Sequence, residues 1–446
     1  MIQPPETADL GISRRHFIKT STTAAAVSTL AAVPRVFAAG SDKIRVGLIG
    51  CGVRGTGAAM NAVLAIPGVE IVALGDMFPD RVGSALKRLQ DNHAGKEWSC
   101  SREWKHADQV KVTPETCFSG SDACQKVLAS DVNLVILAGP PGFRPLHLQA
   151  AIAAGKHVFM EKPVAVDPAG IRSVIASSDL AKQKGLAIVA GTQRRHQNSY
   201  LEVMKRVHDG AIGNIMAAEV YWNGGCVRHY GFHHPRQAGW TEKEYQLRNW
   251  YFYNYLSGDH IVEQHVHNLD VANWALGGPP VEALAAGGRQ WRTQPEFGNI
   301  YDHFAVRYKY PNGAIVVSMC RQIDGTKPLV SETIHGCNGR ASVGSIEGAN
   351  KYRFEGPHNH AYEQEHADLI QSIRDGKPLN EGRTVAEATM TAIIGRMSAY
   401  TGQPVKYKWA LEESKLDLLP AEFKDGFKLG PVPAPLVAMP GQTELI

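Results

Sequence analysis

Residues 43–57 read KIRVGLIGCGVRGTG, and this stretch decides the fold of the first part of the chain. Ile44–Ile49 is an apolar, β-branched run, typical of a strand buried in a parallel sheet. Gly50, Gly52 and Gly55 follow in G-x-G-x-x-G spacing, and a helical pattern comes next. Glycines so spaced permit a tight turn, backbone approach to a pyrophosphate and close helix packing. The stretch predicts a dinucleotide site with its phosphates at a helix N-terminus.

A second apolar strand, VEIVALGD, ends at Asp76. This is close to the offset at which an acidic residue binds the ribose hydroxyls of a dinucleotide. Its carboxylate would repel a 2′-phosphate, so the sequence favours NAD over NADP. The predicted cofactor contacts in this part of the chain are Gly50, Cys51, Gly52, Val53, Arg54, Gly55 and Asp76.

Two further strands, VNLVILAGPP and HVFMEKPVAV, flank the helical pattern LHLQAAIAAG. Alternating strands and helices predict a doubly wound parallel sheet. Ligands bind at the carboxyl ends of such strands, where Pro140, Glu161 and Lys162 lie, and we add these three to the cofactor contacts. The segment between Asp76 and Asp131 predicts one helix, DRVGSALKRLQD, and the rest of it reads as an insertion.

Composition narrows the possible functions. The chain has 446 residues, of which 44% are hydrophobic, which suits two globular domains. A formal net charge of +4 without a long basic run gives no reason to expect a nucleic-acid partner. The seven cysteines form no C-x-x-C pair, so a zinc ribbon or a disulfide framework is not expected.

The N-terminus reads as a targeting segment. SRRHFIK at residues 13–19 looks like a twin-arginine export signal, and small apolar residues lead from it to Val36-Phe37-Ala38, a plausible cleavage site. We predict a signal peptide over residues 1–39 and a periplasmic or other extracytoplasmic location. No later stretch reads as a membrane span.

Four segments together resemble the glucose–fructose oxidoreductase, inositol dehydrogenase and rhizopine catabolism (Gfo/Idh/MocA) family. They are GLIGCGVRG, the tripeptide Glu161-Lys162-Pro163, LAIVAGTQRRH and EQHVHNLD. The resemblance implies an NAD(P)-binding Rossmann domain and then an α/β domain with a large open, mainly antiparallel sheet. Four strand-like stretches agree with the second domain: GNIMAAEVYWN, VEALAAGGRQ, YDHFAVRYKY and GAIVVSMCRQ.

We place the Rossmann domain at residues 40–193, the substrate and oligomerisation domain at 194–403 and a C-terminal tail at 404–446. The tail carries scattered prolines and could wrap over a subunit surface. Relatives commonly pair through the open sheet face, so the resemblance implies a homo-oligomer.

The densest cluster of functional residues is GDHIVEQHVHNLDVANW, residues 258–274. A single helix there would put His260, Glu263 and His267 on one face. The family pattern is Asp-x-Gly-x-His-x-x-Asp, whose positions fall on Glu263, His265, His267 and Asp270. The resemblance implies that Lys162 belongs to the catalytic group, that His267 is the general base and that Glu263 orients it. Glu for Asp and His for Gly point to a remodelled pocket, so no relative's substrate carries over.

Two other interpretations of the cluster stay open. His260, Glu263, His265 and His267 include ligands that suit zinc or manganese, although H-x-x-E-x-x-x-H is not the H-E-x-x-H order of zincins. A purely structural histidine cluster is the other. We predict no metal cofactor.

Polar residues after an apolar strand, GTQRRHQ, predict contacts where the two domains meet. Gln193, Arg194, Arg195 and His196 could bind sugar hydroxyls or cofactor phosphate, or form an interdomain ion-pair network. The aromatic run NWYFYNYL reads more readily as core than as a sugar platform. The predicted substrate contacts are Arg194, Arg195, His196, His260, His265 and Asp270.

Export of a folded dinucleotide-binding protein implies that its cofactor travels bound and stays bound. Each hydride taken must then be returned. We expect an oxidoreductase that acts on a hydroxyl of a sugar, glycoside or polyol. An NAD-dependent glycosidase working by oxidation, elimination and reduction is the alternative, and a non-catalytic sugar- or nucleotide-sensing protein is a third possibility.

Overall fold

The computed structural model describes residues 43–92, 99–226, 233–424, 432 and 436–446. The predicted export signal, residues 1–39, lies outside these residues. Among the helices that are described, none combines the length and the apolar character needed to cross a bilayer.

The first half of the chain forms a six-stranded parallel sheet. Its strands are β1 Ile44–Ile49, β2 Val69–Asp76, β3 Cys117–Ser119, β4 Leu134–Leu137, β5 His157–Met160 and β6 Ile188–Ala190. Their order is β3-β2-β1-β4-β5-β6, and every neighbouring pair is parallel. The order reverses between β1 and β4, which opens a ligand-binding crevice at the carboxyl ends of those strands. The predicted Rossmann sheet is confirmed.

Helices connect these strands on both faces of the sheet. They are α1 Val53–Ala65, α2 Pro79–Gln90, α3 Ala123–Ala129, α4 Arg144–Ala153 and α5 Pro168–Lys184. The bounds of β1 and β2 agree with the sequence patterns, whereas β5 ends at Met160, before the cis bond between Lys162 and Pro163. The segment read as an insertion contains β3, which forms one edge of the sheet, and the helix α3.

The second half forms a nine-stranded sheet. Its strands are β7 Ile215–Gly224, β8 Glu282–Gly288, β9 His303–Lys309, β10 Ile315–Gln322, β11 Leu329–Gly336, β12 Gly339–Ser342, β13 Ser345–Gly348, β14 Tyr352–Arg353 and β15 Val405–Lys406. The order is β14-β13-β12-β11-β7-β10-β9-β8-β15, and only β7 and β10 are parallel neighbours. The predicted open, mainly antiparallel sheet is confirmed.

Helices cover one face of this sheet. The helices of the second half are α6 Asn198–His208, α7 Glu242–Arg248, α8 Asn254–Ser257, α9 His260–Glu263, α10 Val266–Leu276, α11 Ala361–Arg374, α12 Gly382–Thr401, α13 Tyr407–Glu412 and α14 Ala421–Lys424. Helices α10 and α12 pack on the sheet. Leu284, Val317 and Met319 on its other face are exposed. The expectation of a homo-oligomer stays a prediction.

The histidine-rich cluster is not one helix. Helix α9 ends at Glu263, and α10 starts at Val266 after an irregular turn in which the His265 amide donates to the His260 carbonyl at 3.2 Å. The prediction that His260 and His267 share one helical face is therefore wrong. Amide–carbonyl pairing five residues apart inserts an extra residue into the helix and rotates the following side chains.

The described part of the tail packs on its own chain. The Tyr301 hydroxyl donates to the Ala438 carbonyl at 2.9 Å, and the Gly441 amide donates to the Thr401 carbonyl at 3.0 Å. Strand β15 also adds an edge to the second sheet, beside β8.

Candidate active site

The glycine-rich loop between β1 and α1 has the form needed to hold a phosphate. Gly50 has φ of +101°, and a Cβ there would lie 2.4 Å from the Gly139 nitrogen, so only glycine fits this turn. A Cβ on Gly52, by contrast, would meet no atom within 4 Å. Gly52 precedes the first turn of α1, whose amides point into this open space. The loop and helix start therefore fit the pyrophosphate of a dinucleotide.

Asp76, at the end of β2, joins this loop to the second strand. Its carboxylate accepts hydrogen bonds from the Cys51 amide at 2.7 Å and the Phe78 amide at 3.0 Å. Burial raises the pKa of the Asp76 carboxyl, although these two bonds oppose the shift. Each carboxylate oxygen retains a second lone pair, so the residue still fits ribose hydroxyls as acceptors. The Cys51 amide is directed to Asp76, while Cys51 itself, predicted as a cofactor contact, lines the cavity described next.

A cavity of about 630 Å³ opens beside the loop, a volume within the usual range for ligand sites. The glycine loop and α2 form one wall, and residues 234–248 form the other. Its cationic lining residues, Arg81, Arg88 and Arg248, were not singled out from the sequence. Two of them follow the strand that ends in Asp76, and their place near a phosphate site is the signal that sequence reasoning missed.

Arg54 and Glu161 do not face this cavity. The Arg54 guanidinium donates to Glu161 Oε1 at 2.6 Å and to Asn61 Oδ1 at 3.0 Å, and it lies 3.5 Å from Glu365 Oε1. Burial, with the nearby Glu161 charge, raises the pKa of the Glu365 carboxyl well above its usual range. Arg54 and Glu161 were predicted as cofactor contacts, but their side chains tie the start of α1 to the end of β5.

Lys162 meets Glu263 across the two halves of the chain. The Lys162 ammonium donates to Glu263 Oε1 at 2.9 Å and also to the Glu263 carbonyl. Glu263 Oε2 is buried and has no hydrogen-bond partner among the described residues. Burial lowers the pKa of the Arg144 guanidinium to about 10, although the Glu161 and Glu263 charges oppose the shift. The pair therefore leaves one carboxylate oxygen without a hydrogen-bond partner among the described residues.

His267 lies on α10, within reach of the Lys162 charge. Its ring stacks on Trp222 of β7, with 5.8 Å between centroids and 23° between planes. Burial lowers the pKa of His267 well below 6.5, and the Lys162 and Arg194 charges lower it further. No hydrogen bond joins the ring to another described residue. The imidazole is therefore neutral at pH 7 and able to accept a proton from a bound hydroxyl.

The other two histidines of the cluster face elsewhere. His260 packs on Phe304, with 5.2 Å between ring centroids, and His265 Nε2 lies 2.7 Å from Ser318 Oγ. Burial lowers the pKa of His265 to about 3. Within the described residues no three His, Cys, Asp or Glu side chains come together as a metal site. Two of the side chains proposed above as metal ligands, His260 and His265, have these other neighbours, and their predicted substrate contacts stay predictions.

The GTQRRHQ segment forms ion pairs with the second half of the chain. Arg195 Nε lies 3.0 and 2.8 Å from the Asp270 oxygens, and Arg195 Nη2 lies 2.8 Å from Asp270 Oδ1. Arg194 pairs with Glu332 of β11 and lies over Trp222. These pairs correspond to the ion-pair alternative, and the predicted substrate contacts of Arg195 and Asp270 stay predictions.

His196 belongs to the same network. Its Nδ1 lies 2.6 Å from Asp368 Oδ2, and its Nε2 lies 3.2 Å from Glu381 Oε1. Burial alone would lower the pKa of His196, but these two carboxylates outweigh burial and raise it to about 10. The ring is a cation within this network, and the predicted substrate contact of His196 stays a prediction.

The aromatic run before the cluster is core. Tyr251, Phe252, Tyr253 and Tyr255 are buried in one hydrophobic cluster with Phe297. The interpretation as core is confirmed. Trp222, which the sequence did not single out, is the aromatic side chain that contacts His267.

Known proteins resemble both halves of the chain. A model described as "Oxidoreductase family, NAD-binding Rossmann fold" matches residues 44–192, and one for the GFO/IDH/MocA C-terminal domain matches residues 200–342. A 2,7-anhydro-N-acetylneuraminate hydratase of Escherichia coli is 24% identical over 67% of this chain and 74% of that protein. An inositol 2-dehydrogenase of Acidothermus cellulolyticus is 25% identical, over 55% of this chain and 58% of that protein.

A solved structure shares the fold. Apo scyllo-inositol dehydrogenase from Lactobacillus casei superposes with a TM-score of 0.61 and 19% identity, covering 83% of this chain and all of that one. The glycine loop, the Lys162–Glu263 pair and the two matched domains together place the chain in the Gfo/Idh/MocA family of NAD-binding oxidoreductases.

Proposed function

We propose that the protein oxidises a hydroxyl of a sugar, glycoside or polyol by hydride transfer to a tightly held dinucleotide. The observation that carries this proposal is the contact of the Lys162 ammonium with the Glu263 carboxylate just after β5, with His267 near enough for the Lys162 charge to lower its pKa. The names of the two curated relatives, which act on an anhydro-sugar and on inositol, support a carbohydrate or polyol substrate.

Each residue has a role in this reaction. A dinucleotide bound at the sheet edge supplies the acceptor for the hydride that leaves the carbinol carbon with its electron pair. His267 takes the hydroxyl proton as general base. Lys162 stabilises the negative charge that develops on the oxygen. Glu263 holds the ammonium through Oε1 and offers Oε2 to a neighbouring hydroxyl.

We propose NAD as the cofactor, because the Asp76 carboxylate at the end of β2 would repel a 2′-phosphate. Arg81 and Arg88 line the same cavity and favour a phosphate, so NADP is the alternative to exclude. Titration of the protein with NADH and NADPH, followed by fluorescence, gives both affinities. Asp76→Ala should reduce the difference between the affinities for NADH and NADPH. NADPH binding at least as tight as NADH would overturn the choice of NAD.

A redox-neutral reaction is the second candidate. A hydratase adds water without net oxidation, so the hydratase among the relatives supports a net reaction that leaves the cofactor unchanged. In this scheme His267 and Lys162 first help to form a ketone, which acidifies the adjacent C–H. Elimination then breaks a glycosidic bond, water adds, and the hydride returns to the substrate. The same three side chains serve both schemes.

One measurement separates these candidates. Purified, undialysed protein is scanned between 300 and 400 nm before and after sugars and aryl glycosides are added. A reduced-nicotinamide band without external NAD supports hydride transfer to a retained cofactor, and release of the aglycon favours the glycosidase. Protein that neither carries nor binds a nucleotide would refute both.

We also propose that the protein is exported folded, with its cofactor bound, as the SRRHFIK stretch suggests. Substituting Arg14 and Arg15 together by Lys should leave the protein in the cytoplasm. Fractionation of cells that express each form tests this. Equal extracytoplasmic amounts of both forms would contradict twin-arginine export.

A further inference from the structure

We propose that residues 234–248, which we call the cover segment, close the cavity beside the glycine loop and slow the release of the dinucleotide. This inference rests on the proposed function, because it takes the adenosine diphosphate half of a dinucleotide as the occupant. It assigns cofactor retention to a part of the chain that lies outside the Rossmann sheet.

The cavity has two walls from distant parts of the sequence. Cys51, Gly52 and Val53 of the glycine loop lie on one side, continued by α2 residues such as Arg81 and Arg88. The lining residues on the other side all belong to the cover segment: His234, Gln237, Trp240 and Arg248. A nucleotide beside the helix start would contact residues of both walls, and these contacts would slow its release.

One tie between the walls is the pair of Arg248 and Asp80, which are 168 residues apart in sequence. Arg248 Nη1 and Nη2 each lie 3.1 Å from an Asp80 oxygen, so the contact is bidentate and fixes the direction of the guanidinium. The hydrogen bond to Arg248 lowers the pKa of Asp80, which therefore stays ionised at neutral pH.

Aromatic rings hold the same guanidinium on two sides. The Arg248 Cζ atom lies 3.9 Å from the ring centroid of Phe78 and 4.9 Å from that of Trp240. Phe78 immediately precedes α2, and Trp240 belongs to the cover segment. Stacking of this kind adds to an ion pair, since the ring face attracts the cation. Arg248 therefore joins both walls by charge and by packing.

A second tie lies at the other end of the cover segment. Arg81 Nη2 of α2 lies 2.9 Å from His234 Nε2. Arg81 also lines the cavity, so an anionic ligand would draw its guanidinium inward while the His234 contact holds the cover in place. Two ties at opposite ends of one segment make opening a concerted step. Release rates for bound ligands commonly depend on such opening steps.

The test measures nucleotide release from the full-length protein. Wild type, Asp80→Asn and Arg248→Ala are loaded with NADH and chased with excess NAD, and the loss of NADH fluorescence gives the dissociation rate. Each variant should release NADH about tenfold faster or more, since most affinity change within one site is change in dissociation rate. The charge-swapped variant Asp80→Arg/Arg248→Asp should recover part of the slow release. Asp122→Ala is the matched control, because Asp122 is an exposed acid paired with Lys126 at 2.8 Å outside the cavity lining.

Failure of the inference and failure of the proposed function give different results. If the wild-type protein binds no NADH, the proposed function itself is refuted. A wild-type protein that binds NADH, with Asp80→Asn and Arg248→Ala releasing it at the wild-type rate, leaves the function standing and overturns the cover. Faster release from Asp122→Ala as well would also overturn it, since the effect would then not be specific to the two ties. Asp80→Asn is nearly isosteric at a half-exposed site, so it keeps the test valid if Arg248→Ala misfolds.

Discussion

Two of the ion pairs that join the first half of the chain to the second differ in how they use their carboxylate oxygens. Lys162 and Glu263 share one carboxylate oxygen at 2.9 Å, and Glu263 Oε2 has no partner among the described residues. Arg195 and Asp270 share three contacts of 2.8–3.0 Å that use both carboxylate oxygens, and Arg195 lies over Trp274. The first pair leaves Glu263 Oε2 unpaired, whereas the second engages both Asp270 oxygens.

The difference shows that neighbouring positions of one motif can serve separate purposes. Glu263 and Asp270 both fall on acidic positions of the family pattern EQHVHNLD. Glu263 keeps an oxygen without a hydrogen-bond partner among the described residues, whereas both oxygens of Asp270 are paired with Arg195. Asp270 instead anchors the segment after β6 to α10, and so helps to position the helix that carries His267.

The largest expected effect concerns the reactive pair. His267→Ala should reduce hydride transfer by about 10²–10⁴-fold, because it removes the general base. Nucleotide affinity should stay near that of wild type. Single-turnover formation of reduced nicotinamide measures the first quantity, and nucleotide titration measures the second. His335→Ala, at a partly exposed position on β11, is the control. Wild-type turnover in His267→Ala would remove the assigned role.

The Arg195–Asp270 pair should contribute to the stability of the fold. Asp270→Asn should lower the free energy of unfolding by about 3–5 kcal/mol, because it leaves the Arg195 cation largely buried without its carboxylate. Glu263→Gln should lower it less, since Lys162 keeps the Glu263 carbonyl as an acceptor. Urea unfolding of both variants checks this order. Unchanged stability together with altered substrate affinity in Asp270→Asn would instead support the prediction that Asp270 contacts the substrate.

A third test uses pH. His196 has a pKa raised to about 10, so the folded state holds its proton more tightly than the unfolded state, where the pKa is about 6.5. The stabilisation is fully present below pH 6.5 and is lost as the pH rises toward 10. The difference in unfolding free energy between wild type and His196→Gln should therefore shrink from pH 6 to pH 10. A difference that grows with pH would show that the ring is neutral in the folded protein.

The smallest expected effect on stability concerns an exposed ion pair. Lys205 and Asp209 form an ion pair at 3.0 Å on α6, with 69% and 64% of their side chains exposed. Lys205→Ala should change the free energy of unfolding by less than about 0.5 kcal/mol, because water screens this pair. The same urea experiment measures it. A loss similar to that of Asp270→Asn would show that burial does not distinguish the two pairs.

The sequence by itself determined the parts of the fold that depend on neighbouring residues. Alternation and apolar runs placed β1 and β2 at their observed bounds, and glycine spacing placed the phosphate loop, because strand burial and positive φ are properties of a few consecutive residues. The position of Lys162 after β5 followed for the same reason. The family resemblance added the second sheet and the candidate roles of Glu263 and His267.

Only the tertiary structure decided which side chains meet. Lys162 and Glu263 are 101 residues apart, and the directions of Arg54, Arg195 and His260 also depend on partners distant in sequence. The turn between α9 and α10 rotates His260 away from His267, and β7 brings Trp222 to it. A pattern of residue types does not contain these contacts, since they arise when two sheets and their helices pack into one body.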